Sequence, residues 1–111
     1  NKEIRKRSVK DIVYFESNNR IVYIHLKDGT NEYFYGKLNN VEKELAASRQ
    51  YFLRIHQSFL VNYDYIIKMN FFNITINYAR KKMELKISED RQKEVRRQLC
   101  KIAGGRAVIE E

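Results

Sequence analysis

Short runs of β-favouring residues separated by polar turns are the feature that most constrains this chain. Residues 21–26 alternate in polarity, so that every second side chain from Val22 faces the same way. An Asp28-Gly29 pair follows, and a second β-rich run occupies residues 31–35. Since both turn residues tolerate positive φ, this pattern predicts a β-hairpin.

Similar runs recur along the rest of the chain. They predict further strands at residues 12–15, 52–56, 59–61, 66–69, 72–77 and 83–87. We expect the polar residues 16–19 to form a turn after the first strand, and Arg80-Lys81-Lys82 to form a basic turn before the last. At 111 residues the chain suits one domain with one core.

Two short helices are predicted besides the strands. Residues 38–45 place apolar side chains at helical spacing, with Asn39 as N-cap and Glu42 completing a capping box. A second helix is predicted from Ser88, as N-cap, to the stop at Gly104-Gly105. The prediction is therefore a mainly β domain with two helices.

The charge of the chain indicates an anionic partner. The net charge is +8 and the sequence pI is about 9.6. Basic residues are grouped, with a net +4 over residues 1–10 and +3 over residues 79–87, whereas residues 11–36 are net −2. Grouped basic residues at this pI are typical of nucleic-acid binders.

Other classes of function find little support in the sequence. A single cysteine, Cys100, excludes a disulfide framework, and His25 and His56 are too far apart to suggest a metal site. No nucleophile with a base, pair of carboxylates or Gly-rich phosphate loop is present, so we expect neither an enzyme nor a cofactor. No apolar run is long enough to cross a bilayer, and we expect a cytoplasmic protein with no membrane partner.

Candidate site residues stand at the joint between two predicted strands, His56-Gln57-Ser58. Gln57 can pair bidentately with an adenine edge in a major groove, although an exposed glutamine need have no such role. His56 could equally form a hydrogen bond with nearby backbone and have no other role. Arg20 could finish a turn, and Arg91 could be an ordinary solvated arginine.

Six stretches form a specific pattern over roughly residues 4–100. They are Asp11 to Glu16, Asn19-Arg20, Tyr35 to Leu38, Phe52 to Asn62, Ile66, and Ile87-Ser88. The pattern resembles the LytTR-type DNA-binding domain of bacterial two-component response regulators. The resemblance implies an elongated arrangement of small β-sheets with two short helices, and a leading strand that normally precedes Asn1.

The resemblance also implies a site that reads DNA through loops. Asn18-Asn19-Arg20 resembles one DNA-contacting loop, His56-Gln57 matches a second, and Arg91 resembles a basic residue at the head of the last helix, although Glu89 and Asp90 precede it here. We assign Gln57 and Arg91 to base edges and Lys37 and Arg20 to phosphates. Asn62, though part of the pattern, is expected to fix a bend by bonding to backbone.

We therefore expect a DNA-binding domain at residues 1–103 and a C-terminal tail at 104–111. The resemblance implies a receiver domain in the full-length chain and a cognate histidine kinase. With no heptad pattern, we expect a monomer that pairs on repeated promoter sites. A basic protein-interaction domain and an RNA-binding β domain remain alternatives.

Overall fold

The computed structural model describes residues 8–104, which form two antiparallel sheets and two helices. The strands are β1 (Ile12–Asn18), β2 (Ile21–Leu26), β3 (Asn31–Tyr35), β4 (Phe52–His56), β5 (Phe59–Asn62), β6 (Ile66–Met69), β7 (Asn73–Tyr78) and β8 (Lys81–Lys86). The helices are α1 (Leu38–Leu45) and α2 (Gln92–Ile102), and 3-10 turns lie at Val9–Asp11, Tyr63–Tyr65 and Glu89–Arg91. The molecule measures 42 × 29 × 24 Å, so the predicted elongated, mainly β fold is confirmed.

The larger sheet has the strand order β3-β2-β1-β5-β4. The predicted β2–β3 hairpin is confirmed, but of the two residues Asp28 and Gly29 only the glycine has positive φ, at 92°. Asp28 acts differently from our prediction: its carboxylate accepts hydrogen bonds from the backbone amide and the hydroxyl of Thr30, at 2.9 and 2.6 Å. The side chain therefore closes the turn, and the glycine supplies the left-handed residue.

The smaller sheet has the order β6-β7-β8, and its last hairpin differs from the prediction. Lys81 and Lys82 belong to β8, and the turn consists of Ala79 and Arg80, both at positive φ (50° and 65°). Cross-strand pairing of Tyr78 with Lys81 leaves only two residues for the turn, which requires a left-handed conformation despite the absence of Gly or Asn.

The prediction of one core is wrong, because two clusters of buried apolar side chains lie on opposite faces of the larger sheet. One joins it to the smaller sheet and to Val95 and Leu99 of α2, and the other joins it to α1 through Leu38. Residues 12–15 of β1 are all buried, because the strand contributes to both clusters. β1 also continues to Asn18, beyond the predicted end, by pairing Ser17 with Val22 in β2.

Both predicted helices form, but their predicted caps do not. Lys37, and not Asn39, is the N-cap residue of α1, and no side chain caps that helix. Ser88 precedes a 3-10 turn without capping it, and α2 begins only at Gln92. Gly104 adopts φ 65° after the helix, as expected of a C-terminal stop, whereas Gly105 and the predicted tail lie outside the described residues.

Asn62 lies at the end of β5 and is completely buried. Its Nδ2 donates to the carbonyl of Ile12 at 2.8 Å, and its Oδ1 accepts from the backbone amide of Asp64 at 2.9 Å and from Nε2 of Gln50 at 2.8 Å. These bonds join β1, β5 and the following 3-10 turn, so the expected structural role of Asn62 is confirmed.

Candidate nucleic-acid interface

The first part of the candidate site is the turn between β1 and β2. Asn19 adopts φ 60°, a left-handed conformation that asparagine tolerates better than most residues. The carbonyl of Arg20 accepts a hydrogen bond at 2.9 Å from the amide of Gly36, at the end of β3. The turn is thus bonded to the neighbouring chain segment, and the side chains of Asn19 and Arg20 are exposed.

The second part is the turn between β4 and β5. Gln57 is exposed, whereas His56 is half-buried and packs against Phe59, with 5.3 Å between ring centroids. Nδ1 of His56 accepts from the backbone amide of Ser58 at 3.0 Å, which assigns the proton of the neutral ring to Nε2. The carbonyl of Ser58 in turn accepts from the amide of Ser17 in β1 at 2.9 Å.

The third part consists of two basic residues, each of which immediately precedes a helix. Lys37 is exposed at the start of α1, and Arg91 is half-buried at the end of the 3-10 turn before α2. The amide of Arg91 donates to the carbonyl of Ser88 at 3.0 Å, and the amide of Ser88 donates to the carbonyl of Ile55 in β4 at 2.9 Å. Main-chain bonds therefore connect this segment to the β4–β5 turn.

The fold brings these three parts together around one open groove of about 690 Å³. Its lining residues are Ser17, Asn19, Arg20, Tyr35, Gly36, Lys37, Leu38, Asn39, Arg54, Gln57 and Arg91. Five of the six residues that the sequence predicts are among them. The sixth, His56, lines an adjoining cavity of about 170 Å³ together with Gln57 and Arg91.

The groove is electropositive. Among the described residues that line it, none carries a carboxylate, whereas four are cationic. Within residues 8–104, no ion pair involves Arg20, Lys37 or Arg91. Their charges are therefore available to an anion that enters the groove.

Arg54 and Tyr35 are among the six groove residues that the sequence did not assign to the site. Arg54 is 8% exposed, and an arginine within the apolar run of β4 is the signal that could have drawn attention to it. Tyr35 is 68% exposed at the end of β3, where its alternation with Phe34 predicts an outward side chain.

Features of other binding classes are not found in the described part of the chain. Residues 8–104 contain no cluster of three His, Cys, Asp or Glu side chains suited to a metal ion. Over the same residues, no helix has the length and apolar character needed to span a membrane.

Comparisons with known proteins concern the family and the fold of the chain. A family model described as the LytTr DNA-binding domain matches residues 2–100. The solved LytTr DNA-binding domain of a Bacillus cereus protein, described as a methyl-accepting/DNA response regulator, superposes with a TM-score of 0.58 at 17% sequence identity. The match covers 86% of this chain and 83% of that one. A search of curated proteins finds no significant match.

Proposed function

Because the chain belongs to the family of LytTr DNA-binding domains, we propose that it recognises a specific double-stranded DNA sequence through the turns around the electropositive groove. The observation that carries this proposal is the convergence of four separate chain segments on that groove: the β1–β2 turn, the β3–α1 connection, the β4–β5 turn and the 3-10 turn before α2. Each segment presents a side chain that can bond a base or a phosphate, and main-chain hydrogen bonds connect the segments.

The side chains around the groove differ in whether they suit a base edge or a phosphate. The amide of Gln57 can donate and accept together, which suits an adenine edge, and the guanidinium of Arg91 can donate twice to a guanine edge. Arg20 and Lys37 are exposed cations suited to phosphates. The Nε2–H of His56 is a donor, which favours a phosphate oxygen or a base acceptor beside Gln57.

Turns and not a helix carry the recognition. The apolar side chains Val95 and Leu99 hold α2 against the core, and no residue of this helix lines the groove. The β1–β2 and β4–β5 turns project from sheet ends instead, and a rigid scaffold commonly presents binding residues in this way.

The proposed setting is the output domain of a response regulator that controls transcription in the cytoplasm. A receiver domain and a histidine kinase would then act upstream of it. We further propose that the free domain is monomeric and pairs on repeated sites. Sedimentation at micromolar concentration, with and without a duplex carrying two sites, tests this, and a tight dimer without DNA would contradict it.

The test of DNA binding begins with selection of a preferred duplex from a random pool, followed by fluorescence anisotropy at several salt concentrations. If the domain contacts ~6 phosphates, log K should fall against log salt with a slope of about −5. A slope near zero refutes the proposal. Better competition by RNA or single strands would favour the RNA-binding alternative, and binding to acidic proteins only would favour the protein-interaction alternative.

Substitutions then separate the two kinds of contact. Lys37→Ala should weaken binding to selected and random duplexes alike and reduce the slope by about one unit. Lys43→Ala, an exposed lysine of α1 outside the groove, is the matched control. Gln57→Ala should weaken the free energy of binding to the selected duplex by about 1–3 kcal/mol, and that to random DNA by far less. Equal losses on both duplexes would show that Gln57 does not read bases.

A further inference from the structure

Arg54 is a buried cation in β4 at the base of the groove. Its side chain is 6% exposed. Nε donates to the carbonyl of His56 at 2.8 Å, and one terminal nitrogen, Nη2, donates to the carbonyl of Gln57 at 2.6 Å. The guanidinium therefore holds the backbone of both residues in the β4–β5 turn.

The other terminal nitrogen of Arg54 contacts α1. Nη1 lies 2.8 Å from Oδ1 of Asn39 and 2.8 Å from Oε1 of Glu42. These are the two residues that the sequence assigned to a capping box, and their side chains bind Arg54 instead. One guanidinium thus connects the β4–β5 turn to the helix that begins beside Lys37.

The count of donors argues against a direct role for Arg54 in holding phosphate. A guanidinium has five N–H groups. Four of them are used by two turn carbonyls and two α1 side chains. The carboxylate of Glu42 also offsets the positive charge, whereas Arg20 and Lys37 form no ion pair with the described residues.

We propose that Arg54 is a positioning residue that sets the geometry of Gln57 relative to Lys37, and so sets sequence discrimination without touching DNA. This inference rests on the proposed function. The fork of an arginine matches two carbonyls and two side-chain oxygens at once. A lysine at the same position keeps the charge but has three donors on one atom, so it cannot reproduce these bonds.

The test compares Arg54→Lys with the wild type on selected and random duplexes. Since a bidentate base contact is worth about 1–3 kcal/mol and 1.4 kcal/mol is tenfold in affinity, displacing Gln57 should lower the ratio of the two affinities about tenfold. The salt slope should stay unchanged, because the charge is retained. An unchanged affinity ratio in the folded variant overturns the proposal.

Glu42→Gln provides a second test that does not remove a buried side chain. Glu44→Gln is the matched control, since it makes the same charge change on an exposed residue of α1 outside the groove. If charge alone matters, both variants should bind every duplex slightly more tightly. If Arg54 acts by position, only Glu42→Gln should lower the affinity ratio, severalfold, and shift the backbone amide resonance of Gln57.

These outcomes separate the inference from the proposed function. If Gln57→Ala loses discrimination while folded Arg54→Lys and Glu42→Gln keep it, DNA reading stands and the positioning role is refuted. If Arg54→Lys does not fold by circular dichroism, the comparison of Glu42→Gln with Glu44→Gln decides. Identical behaviour of those two variants would refute the positioning role.

Discussion

Replacing Asn62 by alanine should weaken the fold and leave DNA recognition intact. The side chain is completely buried, does not line the groove, and bonds three groups that belong to different segments. Asn62→Ala deprives the carbonyl of Ile12 and the amide of Asp64 of their side-chain partner. Gln50 loses less, because its Nε2 also donates to the carboxylate of Asp64 at 2.8 Å.

The expected cost follows from these groups. A buried polar group left without a partner costs about 1–3 kcal/mol, and a part-exposed one costs about 0.5–1.5 kcal/mol. The carbonyl of Ile12 belongs to the first kind and the amide of Asp64 to the second. Asn62→Ala should therefore lower the free energy of unfolding by about 2–4 kcal/mol, which corresponds to roughly 8–20 °C in Tm for a chain of this size.

Thermal and urea unfolding measure this cost, and anisotropy below the transition measures DNA binding. Asn77→Ala, at an exposed position of β7, is the matched control and should change stability by less than about 0.5 kcal/mol. Asn62→Asp adds a check, because its buried carboxyl can donate to the carbonyl of Ile12 only when protonated. Its pKa should be raised in the folded state, so its stability relative to the wild type should improve on acidification towards about pH 4. A stable Asn62→Ala variant that no longer binds DNA would refute this assignment.

Two further predictions concern stability. Burial, and then the neighbouring Tyr78 and Glu16, raise the pKa of the Tyr14 hydroxyl. The folded state therefore keeps Tyr14 neutral, whereas in the unfolded chain this hydroxyl ionises at about pH 10. The free energy of unfolding should fall above that pH, and the fall should be less steep for Tyr14→Phe. Unfolding measured from about pH 9 to 11 tests this. The double variant Ala79→Asn with Arg80→Gly should raise the free energy of unfolding by about 1 kcal/mol, because both positions have positive φ. Urea unfolding measures this, and a double variant no more stable than the wild type would show that the turn is not strained.

Local patterns were enough to predict most strands. The bounds of β2, β3 and β4 agree with the prediction, because each is an alternating or apolar run followed by a polar residue or glycine. The β7–β8 turn was misplaced because Ala79 and Arg80 carry no local signal for a left-handed conformation. Strand pairing imposes that conformation, and pairing is a long-range property.

The candidate site was predictable only in part. The resemblance pointed to five of the groove residues, but their convergence on one surface depends on how four separate chain segments meet in the fold. Arg54 shows the limit most clearly. Its partners Asn39 and Glu42 are 15 and 12 residues away, and their spacing mimics a local capping box. A contact between distant segments took the place of the local bond that the sequence favours.

The main-chain bonds between the segments that line the groove have a consequence, under the proposed function, for how new DNA targets could arise. The ties from Ser17 to Ser58, from Gly36 to Arg20 and from Ser88 to Ile55 use only main-chain atoms, which every residue type except proline supplies in full. The exposed side chain at position 57 can therefore be exchanged without loss of these bonds, whereas position 19, at φ 60°, favours asparagine or glycine. Under the proposed function, altered target preference is compatible with retained stability, and one scaffold could serve several DNA targets by substitution in its turns.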